Sequence, residues 1–352
     1  MIGEGPSLGR KVWFWVILGM SSVFFAEVTV GSQPFPFFDP FAILVAVPLY
    51  TLHMLVLATV VVRGRKVTLS SLFVAGILFG LYEAYITKVI WDPYWEFGTT
   101  VYFAEIAVAQ TVILILWYHN FFAFIIPLAV GEALCTSSSK VFSALPARVR
   151  RMFQVERMPR TLLALGIVFG MFQAAAGLGP SVSLLSVGAS GLLLFAVYQA
   201  YRMTGGARHS IDALLPSERQ FRVLLALLVL FYAVMTPALL PENLPGPVGH
   251  AAVLLMYAGA ILLLRAALRR NGQELAAEGS GSADPALAQV SVKQVVLFLA
   301  VYAVSATVLG FVQPVAGVAA LFMHIAGVCV GVLILAKAVR TSVRPREVVH
   351  NA

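Results

Sequence analysis

Basic residues in this chain alternate with long apolar runs in a fixed order. Of its 24 Lys and Arg, 23 fall in six clusters between or outside those runs, and the loops at the other ends of the runs carry none. Lys88 is the one exception. A chain threaded back and forth through a bilayer has this pattern, because Lys and Arg accumulate in the loops that stay on the cytoplasmic side. Composition agrees. Sixty per cent of the 352 residues are hydrophobic and 11% are charged, against about a quarter charged in a soluble domain. Charge this sparse cannot cover a water-soluble surface. The net charge of +8 sits where anionic headgroups attract it, so it indicates a lipid bilayer and not nucleic acid.

Runs of about 20 apolar residues are long enough to cross a hydrocarbon core. Ten are present: 12–30, 41–62, 70–90, 107–134, 161–178, 183–201, 222–240, 249–267, 294–312 and 315–337. The expected fold is therefore an all-α, polytopic transmembrane helix bundle of about ten spans, with both termini cytoplasmic. Arg10 and Lys11 precede the first run, which contains Glu27 and lacks a small-x-small cleavage site, so it reads as a retained helix and not a signal peptide. The stretch 101–134 is long enough to split at His119-Asn120. Splitting it would move the six bases of 136–160 outside and invert every later loop, so one long tilted helix is expected. Cys135 at a helix end and Cys329 inside an apolar run do not form a secreted disulfide framework.

The chain divides at 136–160, a basic segment containing Pro146 and Pro159 that suits a linker or an interfacial helix. Residues 271–292 read as a flexible linker by composition. Beyond 160 the pattern is three helical hairpins, each starting near a base and turning at Pro. Phe172-Gln173, Phe231-Tyr232 and Val301-Tyr302 occupy one spot in the three first helices. A threefold repeat and the general sameness of apolar helices explain this equally. Residues 1–135 form a four-helix half and 161–352 a six-helix half.

The halves differ in polarity. Spans five to ten carry small-residue stripes, Gly166, Gly170, Ala174 and Gly177 on the fifth and Gly317, Ala320, His324, Gly327 and Gly331 on the tenth. Such stripes serve close packing. The first four spans hold Glu27, His53, Glu83, Lys88, His119 and Glu132. A charge at a helix centre costs roughly 2.5–3.5 kcal/mol even on the lenient insertion scale. Lys88 and Glu132 lie near helix ends, where snorkelling relieves that cost. His53 and His119 lie near mid-membrane, and Glu27 and Glu83 in the outer half. Glu83 shares a helix face with Gly76, Gly80 and Thr87. Glu27, His53, Glu83 and His119 are thus the candidate substrate-binding residues. Interhelical hydrogen bonding without further function is the competing explanation. The loops Gln33-Pro-Phe-Pro-Phe-Phe-Asp-Pro-Phe41 and Trp91-Asp-Pro-Tyr-Trp-Glu-Phe97 are rich in Pro and aromatics. They suit interface anchoring or a lid over an outward-facing polar pocket.

The segments FFAEVTVGSQPFPFF (24–38), GLYEAYITKVIWDPYW (80–95) and WYHNFFAFIIPLAVGE (117–132) resemble a family of uncharacterised polytopic prokaryotic membrane proteins, over roughly the first 135 residues. The resemblance implies an integral protein of the prokaryotic plasma membrane and no particular activity. Glu83-Ala84-x-x-x-Lys88 with His119 is also faintly similar to the CPBP (CAAX-protease-like) intramembrane proteins, whose signature is Glu-Glu-x-x-x-Arg with two later His-bearing helices. Here the second Glu is lost, Lys replaces Arg, and no second His follows in the same half. These departures argue against proteolysis, which needs Glu and His acting on one water. Metal-binding His-Glu-x-x-His, phosphate-loop and dinucleotide-loop motifs do not occur, so no metal or cofactor is implied. Gly279-Ser-Gly-Ser-Ala283 approaches Gly-x-Ser-x-Gly, but its last residue fails and it lies in a linker. Three functional classes follow: a binding or transport protein for a small or lipid-like ligand, a CPBP-like membrane enzyme using Glu83 and His119, or an assembly protein with no site.

The topology is checked by thiol labelling. In a background with Cys135 and Cys329 replaced by Ser, a single Cys engineered within 141–158 is expected to react only with a membrane-permeant reagent. Labelling there by an impermeant reagent in intact cells would invert the assignment.

Overall fold

The computed structural model describes residues 5–93, 100–205, 208–278 and 290–343. Among them, nine helices are long and apolar enough to cross a membrane, and Leu69–Tyr85 is a shorter apolar helix. In chain order they are α1 (Leu8–Val28), α2 (Ala42–Val62), α3 (Leu69–Tyr85), α4 (Val108–Cys135), α5 (Met158–Ala175) and α6 (Pro180–Met203). They continue with α7 (Glu218–Ala238), α8 (Pro247–Glu278), α9 (Val292–Gly310) and α10 (Gln313–Val343). The chain is an all-α polytopic membrane bundle.

The stretch 108–135 is one unbroken helix, as loop charge requires. Part of it, Leu114–Ile125, is wound as a π-helix, and so are Phe24–Val28 of α1 and Ala42–Ala46 of α2. Two of these widened segments run up to a proline, Pro48 or Pro127. A proline has no N–H for the carbonyl four residues earlier, and its ring crowds that carbonyl. For Pro127 the stranded group is Ala123 O, which accepts a hydrogen bond from Ser22 Oγ at 2.5 Å. In hydrocarbon no water would fill that vacancy.

Two predicted details change. The third span was expected over 70–90, but helix ends at Tyr85 and Lys88 adopts a left-handed backbone, φ 60°. Trp91 N and Asp92 N then bond back to Lys88 O at 2.9 Å. Residues 91–106 are also not a plain loop: Tyr102–Phe103 pairs antiparallel with Ile106–Ala107, with Phe103 opposite Ile106. The aromatic residues Trp95 and Phe97 lie outside the described residues. Neither Lys88 nor Glu132 snorkels, since both are fully buried. Lys88 Nζ donates to Thr236 O at 2.9 Å and to Leu239 O, capping the C-terminal carbonyls of α7. Glu132 accepts from Val141 N at 2.8 Å and Phe142 N at 2.9 Å, capping the one-turn helix Lys140–Ser143. These two ions are held by backbone, so their structural role is local.

Pro146 splits the basic segment into two short helices, Lys140–Ser143 and Ala147–Met152, in place of one interfacial helix. The linker expected from residue 271 begins later, because α8 runs on to Glu278 through Gln-Glu-Leu-Ala-Ala-Glu, all good helix formers. Its central part, 279–289, lies outside the described residues. The three hairpins exist in chain order but do not pack as pairs. α5 packs mainly on α9, α7 on α2, α8 on α3 and α10 on α5 and α4. The two halves therefore interlock. The small-residue stripes mark these crossings: a Cβ on Gly170 would meet Ala306 N of α9 at 2.7 Å, and one on Gly331 would meet Leu116 O of α4 at 2.1 Å.

The basic segments meet one another on one face. Trp15 Nε1 donates to Leu214 O at 2.8 Å and Arg63 to Pro216 O at 2.9 Å. Asp212 pairs with Lys140 at 2.6 Å and accepts from Gly64 N at 2.7 Å. Arg10 donates to His209 Nε2 at 3.2 Å, and burial, then Arg10 itself, hold the His209 pKa below its ordinary value. The base-free loops meet at the opposite end, where Ser186 Oγ donates to Pro34 O at 2.6 Å and Gly249 N to Glu105 at 3.3 Å.

α3 packs closely against α4. A Cβ on Gly76 would lie 2.3 Å from Asn120 Oδ1 and 3.0 Å from Asn120 Cα. Gly76→Ala is expected to cost about 1–3 kcal/mol by overpacking and to lower the melting temperature in detergent. Gly188→Ala on α6, where nothing lies within 4 Å, is expected to be neutral or slightly stabilising. Equal effects of the two would contradict this packing.

Candidate functional site

Four helices bring six polar side chains together. α2 supplies Tyr50 and His53, three residues apart and so on one face. The end of α3 supplies Tyr82 and Glu83, α4 supplies His119, and α1 supplies Glu27. Glu83 Oε1 lies 2.5 Å from His119 Nε2, and Glu83 Oε2 accepts from Thr87 Oγ1. Tyr50 donates to Glu27 Oε1, which commits its proton. Tyr82 must therefore be the donor in the 2.7 Å contact between the two phenol oxygens. Ser32 Oγ donates to Glu27 Oε2 at 2.5 Å. The Tyr82 ring stands edge-on to His119 with centroids 5.1 Å apart. It thus joins the Glu83–His119 pair to the Tyr50–Glu27 pair.

His53 stands beside this cluster. Its Nδ1 must donate, because Leu49 O at 2.8 Å can only accept. Its Nε2 then accepts from Tyr232 at 2.8 Å. Both ring nitrogens are thus used. Its ring is 5.8 Å from Tyr82. The structure thus brings Glu83 and His119 into direct contact, links Glu27 to them through two tyrosines, and gives His53 a separate set of partners.

The π segments set these positions. Glu27 and His119 each sit inside one. A π turn carries an extra residue and widens the helix, a deformation often kept where a side chain must be re-aimed. Neighbouring side chains hold the wide turn of α4. Asn120 Nδ2 donates to Phe73 O at 2.8 Å and Ile115 O at 3.3 Å. Tyr118 donates to Ala26 O in the widened turn of α1, so the two wide turns support each other.

Burial is deep. Glu83 is 5%, His119 2%, Tyr50 1% and Tyr82 2% exposed, whereas Glu27 is half-buried. One atom in this set lacks a partner: His119 Nδ1 is buried with none. Buried polar atoms are nearly always satisfied; Asn120 Oδ1, the next residue on α4, is unmatched as well. Among the described residues no three His, Cys, Asp or Glu side chains come together at metal-ligand spacing.

Comparison with known proteins places this arrangement. The model of the family described as "Uncharacterized membrane protein family" matches residues 16–349. The chain belongs to that family. The match extends far beyond the first 135 residues in which the likeness is visible by eye. It is also similar to an "Uncharacterized protein" of Archaeoglobus fulgidus, 32% identical over 252 residues, covering 70% of this chain and 75% of the relative. No solved structure matches. The CPBP likeness rests on Glu83-Ala84-x-x-x-Lys88 and His119 alone.

Sequence reasoning in this family member found the ionisable residues and missed their connectors. Tyr50, Tyr82, Thr87 and Tyr232 carry the bonds. The available signal was spacing, with Tyr50 one helical turn before His53 and Tyr82 adjacent to Glu83. Tyrosine is common at membrane interfaces, which hides a buried one. Tyr50→Phe leaves Glu27 Oε1 and the Tyr82 hydroxyl without their partner, an expected cost of about 1–3 kcal/mol. In a double-mutant cycle, Tyr50→Phe and Glu27→Gln are expected to be less than additive. Strict additivity in detergent melting would show that the two do not touch.

Proposed function

We propose that the chain is a membrane binding or transport protein whose Glu83–His119 pair, in the half bearing the base-free loops, is a protonatable site for a small or lipid-like ligand. We further propose that the basic face and both termini are cytoplasmic, in a prokaryotic plasma membrane. The observation that carries the first reading is a buried acid–imidazole contact with His119 Nδ1 unmatched.

The chemistry of the pair supports it. With one proton shared, Nε2–H donates to the Glu83 carboxylate and Nδ1 is a lone-pair acceptor. Add a second proton and Nδ1 becomes a donor, whichever partner holds the proton between them. One proton therefore reverses what the site offers a ligand and changes the pair from net negative to neutral. Ligand and proton occupancy are then linked, as in membrane relays built from Glu and His. The half-buried Glu27, joined through Tyr50 and Tyr82, supplies the route toward the loop 31–40.

A purely structural role would want every polar atom paired, and His119 Nδ1 is not. A hydrolytic role would want a water between Glu83 and a histidine. The two are in direct contact, and His53 has both nitrogens engaged.

Glu83→Gln separates these readings. An amide keeps hydrogen-bonding capacity and sheds the desolvation penalty, so insertion and melting temperature should be preserved. A deletion strain should not be complemented. Glu83→Leu should lose stability as well, since it leaves His119 Nε2 unpaired. A stable Glu83→Gln protein that fully complements would leave the structural role standing.

A further inference from the structure

A second feature lies where the basic segments gather. A cavity of about 500 Å³ opens there between the two halves. Its lining comes from α1, α4, the segment 142–158, α5, α6, α9 and α10, and includes Ile125, Ala129, Leu145, Phe153, Phe195 and Phe298. The wall is almost wholly apolar; Ser21, Thr161, Tyr198 and Gln294 are its few polar members. Neither Glu83 nor His119 lines it.

The segments that supply part of this lining are basic in sequence. Cavity-lining residues of the short helix Ala147–Met152 and its flanks, Val149, Met152 and Phe153, alternate in sequence with Arg148, Arg150 and Arg151. Met158 and Thr161 stand next to Arg157 and Arg160, and Gln294 next to Lys293. Within 141–160 the only acid is Glu156. Among the described ion pairs these bases take no part. Lys140, by contrast, is neutralised by Asp212.

An apolar chamber whose lining segments also carry unneutralised bases is complementary to one class of molecule. It accepts a hydrocarbon chain, while the nearby bases attract an anionic headgroup. We propose that this cavity binds the hydrocarbon chain of an anionic membrane lipid from the leaflet on the basic side, with Arg150 and Arg151 at its phosphate. This site is separate from the Glu83–His119 pair and stands or falls independently of it.

The test is native mass spectrometry of the full chain in detergent with added phosphatidylglycerol or phosphatidylcholine. A one-to-one adduct with phosphatidylglycerol is expected to outlast that with phosphatidylcholine. Arg150→Gln with Arg151→Gln should weaken the phosphatidylglycerol adduct roughly tenfold or more. Ala133→Phe, which projects bulk into the cavity, should remove both adducts. Should Ala133→Phe fail to fold, a phosphatidylglycerol carrying a photoreactive acyl chain serves instead on the wild type. It should label peptides within 125–134, 191–198 and 294–299. Equal binding of the two lipids with no effect of the arginine changes would overturn the proposal. So would labelling that avoids those peptides.

Discussion

A hydrocarbon slab offers no water, so any polar atom inside it is bonded by the protein or by nothing. Much of what is irregular in this bundle follows from that constraint. Pro127 strands the carbonyl of Ala123, and Ser22 on a neighbouring helix takes it up. The C-terminal carbonyls of α7 have no further turn to bond, and the ammonium of Lys88 closes them. The carboxylate of Glu132 is buried beside two backbone N–H groups of a one-turn helix. Each ion or hydroxyl here is matched to a backbone group that regular helix geometry leaves open. Charge and irregular backbone offset one another, and neither would be tolerated alone at that depth.

Against that background the two kinds of buried polar residue separate. Lys88 and Glu132 bond to backbone, and that accounts for their burial. Glu27, Glu83 and His119 bond to side chains: Glu83 to His119 and Glu27 to Tyr50 across helices, and to Thr87 and Ser32 within their own segments. A side-chain network is worth its desolvation only where it is fully satisfied. This one stops short at His119 Nδ1. The distinction between capping ions and networked ions cannot be drawn from composition, since all five residues look alike as isolated charges in apolar runs.

What was legible in the sequence was the part governed by counting. Span number, the unbroken helix at 108–135 and the grouping of basic loops on one face all follow from where Arg10, Arg63, Lys140 and Arg270 fall. The helix face of Gly76, Gly80 and Glu83 was legible from spacing, and it meets α4 at His119 and Asn120. Contact partners chosen across the bundle were hidden. Apolar helices carry little information about which neighbour they pack on, so the hairpins gave no warning that α7 lies against α2 and α8 against α3. The π turns were hidden too. Pro48 and Pro127 mark where a helix must deform, but widening, kinking and breaking are all solutions, and Ser22, Tyr118 and Asn120 decide among them from a distance. The early end of α3 belongs with these: Lys88 leaves helical geometry where its side chain can reach α7.

The polar cluster and the apolar cavity are lined by different side chains, yet two helix segments serve both. The wide turn of α1 carries Glu27 toward the cluster and Phe24 and Phe25 into the cavity wall. The wide turn of α4 carries His119 to Glu83 and lines the cavity with Phe121 and Ile125. A π turn differs from an α turn by one inserted residue, and one residue is about 100° of rotation in a helix of 3.6 residues per turn. Returning either segment to α geometry would therefore turn one of its two sets of side chains away from its place. The two turns are also tied together, because Tyr118 on α4 donates to Ala26 O on α1. Any group that presses on the cavity wall at Phe25 or Ile125 acts on the same backbone that aims Glu27 and His119. That shared backbone is the physical connection between the apolar cavity of this protein and its acid–imidazole pair.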